Sequence, residues 1–161
     1  MRVAEEDGGP KERLRCPDCD FVHWNNPTPV LAAVIECVDR GGAVLLARNA
    51  AWPGRFFGLI TGFMEAGESP EDGIRREVFE ETSLTVGQVN LLGAWDFQRM
   101  NQLIVGYHVQ ARGEIHLSAE LAEYQLFAPE DVKVWPQGTG QALATWLRSK
   151  GLAPKMIGEK E

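Results

Sequence analysis

The chain has 161 residues, 44% hydrophobic and 24% charged, which suits one soluble domain with a core large enough to fold without staples. Its formal net charge of -7 argues against a surface of clustered Lys and Arg that neutralises nucleic-acid phosphates. Apolar runs such as PVLAAVIECV fall well short of the ~20 residues that cross a bilayer.

The opening residues MRVAEEDGG have neither the basic start nor the apolar stretch of a secretory signal, so a cytoplasmic location is expected. Residues 1–15 are polar, contain Gly8, Gly9 and Pro10, and read as a flexible lead-in within a first segment, 1–27. CPDCDFVHW follows, with Cys16 and Cys19 as a C-x2-C knuckle. A closed tetrahedral zinc site takes four ligands. His23 could be a third and Cys37 a fourth, against the plainer reading of Cys37 as a buried free thiol. Three cysteines, an odd number, point to reduced thiols or metal ligands rather than a disulfide framework.

The main domain is expected over 28–153, with a tail over 154–161. VLAAVIECV, the Gly41-Gly42 turn and AVLLAR predict a β-hairpin whose continuous apolar runs imply strands covered on both faces. RFFGLIT predicts a third strand. VNLLGAWDFQ, QLIVGYHVQARGEI and EYQLFAP predict three more, and QALATWLRSK an amphipathic helix with Ala142, Leu143, Trp146 and Leu147 on one face. Strands flanking one helix, with a second helix near the end, predict an α/β fold with a mixed sheet between helical layers.

Between the third and fourth strands, GFMEAGESPEDGIRREVFEETSL packs seven carboxylates into residues 62–84. Ser69, Pro70 and Asp72 form a helix start: a side-chain cap, a ring tolerated in the first turn, and an acid near the positive helix end. Gly73 inside the helix points to close packing. Glu77, Glu80 and Glu81, at i, i+3 and i+4, fall within an arc of about 100° beside the apolar stripe of Ile74 and Val78. Such acids repel one another, and a hard divalent cation reverses the sign; on charge alone, a solvated acidic face paired with Arg75 and Arg76 is an equal reading. Phe79 points away from the sheet, which implies that a loop or a partner chain covers the back of the helix.

Gly62, Glu68 and the run Arg76-Glu77-Val78-Phe79-Glu80-Glu81 resemble the Nudix box, G-x5-E-x7-R-E-U-x-E-E-x-G-U, where U is a bulky aliphatic residue. Every fixed position is met except one: Ser83 stands where the family has Gly, a residue suited to a left-handed helix exit. The knuckle, NNPTPVLAAVIE and LITGFMEAGE further resemble the zinc-ribbon group related to NADH pyrophosphatases, with only half of the ribbon present. After the box those enzymes carry S-Q-P-W-P-F-P-x-S, and AWDFQRMNQ does not match it, so NADH specificity is not implied.

The resemblance implies a Nudix fold and a Mg2+- or Mn2+-dependent hydrolase that cleaves, with metal-activated water, the pyrophosphate linkage of a nucleoside diphosphate joined to another moiety. ADP-ribose, dinucleotides and nucleotide sugars all fit. It implies Glu77 and Glu81 as principal metal ligands, Glu80 as a further ligand or the base, the Gly62 carbonyl in the metal shell, and a Glu68–Arg76 pair fixing loop to helix. Glu123, with Glu120 competing, resembles a downstream glutamate that binds metal or activates water. The base is left open between Glu80 and Glu123. Zinc at Cys16 and Cys19 is a further possibility, as is stacking of a base on Trp95, Phe97 or Tyr107. Expected partners are a small nucleotide substrate and, by similarity alone, a second copy; a membrane is not expected and nucleic acid is disfavoured. Two other readings are a nucleotide sensor, which would need a lost box glutamate where none is lost, and an RNA 5'-cap hydrolase.

Overall fold

Polar residues open the chain, yet their backbones pair. In the computed structural model, which describes residues 2–5 and 11–158, β1 (Arg2–Glu5) runs antiparallel to β2 (Glu12–Arg15), and β2 to β3 (Val22–His23). This differs from the flexible lead-in expected for residues 1–15. Main-chain hydrogen bonds need no apolar side chain, and the turn closed by the Cys16 N–H donating to the Phe21 carbonyl at 2.8 Å brings β2 and β3 together. Gly8, Gly9 and Pro10 lie outside the described residues, as do 159–161.

The larger sheet is built on β4 (Thr28–Cys37). Alternation along this strand supplies both faces: Leu31, Ala33, Ile35 and Cys37 enter one core, Ala32 and Val34 the other, all fully buried. The hairpin turn at Gly41 and Gly42, with φ of +64° and +77°, leads into β5 (Ala43–Asn49), antiparallel to the C-terminal half of β4. The N-terminal half of β4 pairs instead with β6 (Ile60–Phe63), so one long strand serves two neighbours on the same side. The third strand therefore begins later than RFFGLIT suggests. Pro53 and Gly54 (φ +80°) keep the preceding segment in a loop, joined to β5 by a single bridge between Ala47 and Gly58.

Helix α1 (Pro70–Thr82) starts as its sequence predicts, with the Asp72 N–H donating to Ser69 Oγ at 3.1 Å. It ends at Ser83 in the left-handed region, φ 63°, where the Ser83 N–H donates to the Phe79 carbonyl at 2.8 Å and Ser83 Oγ to the His116 carbonyl at 3.2 Å. Serine thus adopts the turn that glycine would take more cheaply, and its hydroxyl bond to the segment between β8 and β9 offsets part of the cost. A Cβ at Gly73 would lie 2.5 Å from Leu31 Cδ1, so any larger residue there would force Leu31 or the helix to shift. Phe79 is 59% exposed.

β7 (Thr85–Phe97) and β8 (Gln102–Arg112) form a long antiparallel pair, and β8 lies parallel to β4 over its whole length. β9 (Leu121–Phe127) adds to β5, giving the order β7-β8-β4-β5-β9 with β6 beside β4. α1 covers one face through Ile74 and Val78. α2 (Gly140–Ser149) covers the other through Ala142, Leu143, Trp146 and Leu147. This is the expected mixed sheet between helical layers. β10 (Lys133–Val134) pairs in parallel with β11 (Lys155–Met156), so part of the expected tail is tied down. Among the described residues no helix is long and apolar enough to cross a membrane.

Candidate functional site

Glu77 is buried, although a carboxylate rarely is, because its turn of α1 faces β6 at Gly62. A Cβ at Gly62 would run into the Glu77 carboxylate, so the acid occupies space that only a glycine leaves. Burial pushes the Glu77 carboxyl above its ordinary range, against the pull of Arg76, with Glu80 and Glu81 adding to the rise.

Arg76 organises the surroundings. Its Nε and Nη2 donate to Glu68 Oε2 and Oε1 at 3.0 and 2.8 Å, its Nη2 also to the Phe63 carbonyl at 3.2 Å, and its Nη1 to Glu77 Oε1 at 2.8 Å and Glu80 Oε2 at 3.1 Å. The forked contact fastens the loop between β6 and α1 to the helix. Glu68 is held down to about 2 by Arg76 first and then by the Glu65 N–H, which donates to it at 2.7 Å.

Glu81, one turn beyond Glu77, accepts from Ser118 Oγ at 2.6 Å, while the Ser118 N–H donates to the Glu81 carbonyl at 3.0 Å. Ser118 Oγ in turn accepts from the Glu120 N–H at 3.3 Å. The segment before β9 is thereby tied to the end of α1, and Glu120 is brought to the cleft. Gly62, Glu65, Glu77, Glu80, Glu81 and Glu120 line a cleft of about 500 Å³, together with Val30, Thr61 and Gln102.

Glu123 does not line this cleft. Its Oε1 accepts from Arg48 Nε at 3.0 Å across the β5–β9 pair and from Arg55 Nη2 at 3.4 Å. Of the two downstream glutamates weighed from the sequence, the structure puts Glu120 beside the box acids and Glu123 among arginines.

Among the described residues, no three His, Cys, Asp or Glu side chains are grouped so as to hold a metal ion in the conformations seen. For Cys16 and Cys19 this separates the knuckle from its suggested completion. Cys37 is fully buried in the core, its thiol pushed up to about 11 by burial, and His23 stands exposed on β3. The Cys16 thiol is lowered by the Asp18 N–H first, then by Cys19. Of the box acids, Glu77 and Glu80 accept from Arg76 and Glu81 accepts from Ser118. The donors still fit a divalent ion of the Mg2+ type: they are hard carboxylate oxygens around a buried acid with raised proton affinity, in a recess that a Cβ at Gly62 would fill.

A second cleft of about 550 Å³ adjoins the first, sharing Val30, Thr61 and Gln102. Trp52, Phe56, Phe97 and Trp135 line it; the Phe56 and Trp135 rings meet edge to face, centroids 5.1 Å apart, and Trp52 lies 5.8 Å from Phe56. Of the aromatics singled out from the sequence, only Phe97 faces this cleft. Tyr107 is 5% exposed in the core beneath α1, and Trp95 packs against the α2-side core. Trp52 is not singled out by the sequence reading, and Phe56 falls within the expected third strand RFFGLIT; the structure places both in the loop before β6, around Pro53-Gly54. Nothing in the sequence singles out Ser118.

The chain belongs to the NUDIX domain family, whose model matches residues 27–148. It is 35% identical over 147 residues to the NAD-capped RNA hydrolase NudC of Mycobacterium tuberculosis, covering 82% of this chain and 44% of that protein. To the protein of the same name from Pseudomonas entomophila it is 30% identical over 152 residues, covering 89% of this chain and 53% of that one. The chain thus spans about half the length of these relatives. A Nudix hydrolase crystal structure from Nitrosomonas europaea shares the fold with a TM-score of 0.74 at 22% identity, covering 96% of this chain and 90% of that one.

Proposed function

We propose that the chain hydrolyses the pyrophosphate linkage of a nucleoside diphosphate joined to a second moiety, with Mg2+ or Mn2+ held by Glu77, Glu81 and Glu80 beside Gly62. The observation that carries this reading is Glu77: a buried carboxyl of raised proton affinity at an acid-lined cleft with no lysine among its lining residues. When bound, a divalent ion supplies positive charge against the substrate's diphosphate and acidifies water. Glu77 offers its carboxylate from a fixed position beside Gly62, and Glu80 and Glu81 line the same cleft, Glu81 oriented by its bond from Ser118. Arg76 holds the loop that forms one wall. In this reading Glu120 or Glu80, which line the cleft, accepts the proton from water, a reading supported by the engagement of Glu123 with Arg48 and Arg55.

The test is a hydrolysis screen with Mg2+ and Mn2+ over ADP-ribose, dinucleotides and nucleotide sugars. A nucleoside monophosphate and the phosphorylated second moiety are the expected products, and Glu77→Gln and Glu81→Gln each abolish turnover without loss of fold. Full turnover in both variants rejects the site.

The names of the two relatives favour a second reading, in which the same type of bond joins a nucleoside cap to an RNA 5' end. The charge of -7 disfavours broad RNA binding but not attack on a capped end, which presents the same diphosphate. Release of a nucleoside monophosphate from capped RNA faster than from the free dinucleotide selects this reading.

A further inference from the structure

We infer that the side-chain amide of Asn49, together with the Thr61 hydroxyl, hydrogen-bonds phosphate oxygens of the substrate, so that neutral donors rather than cationic side chains grip the diphosphate in the acidic cleft. The inference rests on the hydrolase reading above and deepens it by naming protein groups that touch the phosphates.

An ion of the Mg2+ type keeps several of its waters and covers only some of the oxygens a diphosphate presents, so protein donors complete the binding. Arg76 is the one cationic side chain among the residues lining the acidic cleft. All five of its N–H groups are committed, to Glu68, Glu77, Glu80 and the Phe63 carbonyl. Asn49, Thr61 and Gln102 are the lining side chains whose donors bond to no group among the described residues. Gln102 also lines the aromatic cleft, whereas Asn49 and Thr61 both line the narrow recess that contains Glu81 and Glu120. These two donors therefore stand among the acids.

Asn49 is held from several sides. The β5–β9 register shifts between Arg48, which pairs with Glu123, and Asn49, which pairs with Leu121, and an irregularity of this kind re-aims a side chain. The Ala50 N–H donates to the Glu120 carbonyl at 2.8 Å, tying the end of β5 to the segment that carries Glu120. The Asn49 carbonyl accepts from the Trp52 N–H at 3.2 Å, and Asn49 Oδ1 from the Ala51 N–H at 2.8 Å. With Oδ1 engaged, the plane of the amide is set and the two hydrogens on Nδ2 are left to donate. A donor fixed in advance loses little freedom when the ligand arrives. Its neutrality matters as well. A Lys or Arg here would pair with the nearby carboxylates, as Arg76 does with Glu77 and Glu80, and would compete with the divalent ion; an amide leaves their charge to the metal.

The probe is methylenediphosphonate, a diphosphate with an uncleavable bridge and neither base nor sugar. It is titrated by calorimetry, with Mg2+ present, into wild-type protein and the Asn49→Ala, Asn49→Asp and Thr61→Val variants. Asn49→Asp keeps the oxygen that accepts from Ala51 and removes only the donors, which separates ligand binding from support of the loop. Proton–nitrogen correlation NMR follows the wild-type Asn49 side-chain amide, assigned through its loss in Asn49→Asp. Both Asn49 variants are expected to bind about tenfold or more weakly, Thr61→Val more weakly than wild type, and the Asn49 amide signal to shift on saturation. Wild-type affinity in any of the three variants, or an amide signal that saturating ligand leaves unmoved, overturns the inference while the hydrolase reading stands. Wild-type protein that binds no diphosphonate with either Mg2+ or Mn2+ overturns both. Weakened binding in the variants of a protein that cleaves no pyrophosphate upholds the donors and rejects hydrolysis alone.

Discussion

Arg76 and Glu77, neighbours in sequence, are also partners in space: Nη1 of the one lies 2.8 Å from Oε1 of the other while the rest of the guanidinium grips Glu68. A single side chain thus joins the loop after β6 to the acid at the centre of the cleft. Arg76→Ala is expected to lower the melting temperature by several degrees and abolish turnover. Arg76→Lys should recover stability only in part, since an ammonium cannot make the forked contact. Calorimetry of both variants checks this.

Glu77 costs stability when ionised. Its folded pKa is raised, so the folded chain holds the proton more firmly than the unfolded chain, and stability falls as pH rises through and above the ordinary value of 4.5. A bound cation reverses that cost. Wild-type protein at neutral pH should gain about 2.7 kcal/mol at a hundredfold excess of Mg2+ or Mn2+ over its dissociation constant. Glu77→Gln should match or exceed the wild-type melting temperature without metal and gain little with it, as measured by scanning calorimetry.

Gly62→Ala places a methyl group where the Glu77 carboxylate lies. Overpacking of this kind costs about 1–3 kcal/mol. The expected outcome is that loss of stability together with turnover reduced at least as far as in Glu77→Gln, read by denaturant unfolding and a product assay.

Ser118 and Glu123 should separate cleanly. Ser118→Ala removes the 2.6 Å bond that aims Glu81 and loosens the segment bearing Glu120, and is expected to raise the metal concentration for half-maximal activity, with Ser118→Thr restoring part of the loss. Glu123→Gln should keep kcat and raise KM, because Arg55 sits in the loop that carries Trp52 and Phe56. Steady-state kinetics at several Mn2+ concentrations distinguishes the two.

His108 lies on the α2 side of the sheet, its Nε2 2.6 Å from Glu36 Oε2 and its ring stacked on Trp146. Burial lowers its pKa despite the carboxylate beside it. The unfolded chain therefore takes up the proton first, so the stability that neutral His108 confers is complete above about pH 6.5 and is lost as pH falls below that value. His108→Gln should flatten the decline in melting temperature between pH 6.5 and 5.

Much of this was legible before any coordinate. Continuous apolar runs about the Gly41-Gly42 turn mark β4 and its hairpin partner, the Ser69-Pro70 start locates α1, and helical spacing places Glu77, Glu80 and Glu81 on one arc; each follows from local geometry that a single segment carries. The third strand was misread because strand pairing, not composition, decides where β6 begins: Val30 to Ala33 select Phe63 to Ile60 as partners. The paired backbone of residues 12–15 escaped notice for the same reason.

What the sequence by itself determined is the acidic face, its helix and the glycine opposite, since these depend on spacing along one stretch of chain. Only the tertiary structure decided that Glu120 rather than Glu123 enters the cleft, that Ser118 steers Glu81, and that Trp52, Phe56, Phe97 and Trp135 share a wall while Tyr107 is buried. Those facts rest on contacts between segments tens of residues apart, and such contacts are set by strand register and sheet order, which no local pattern encodes.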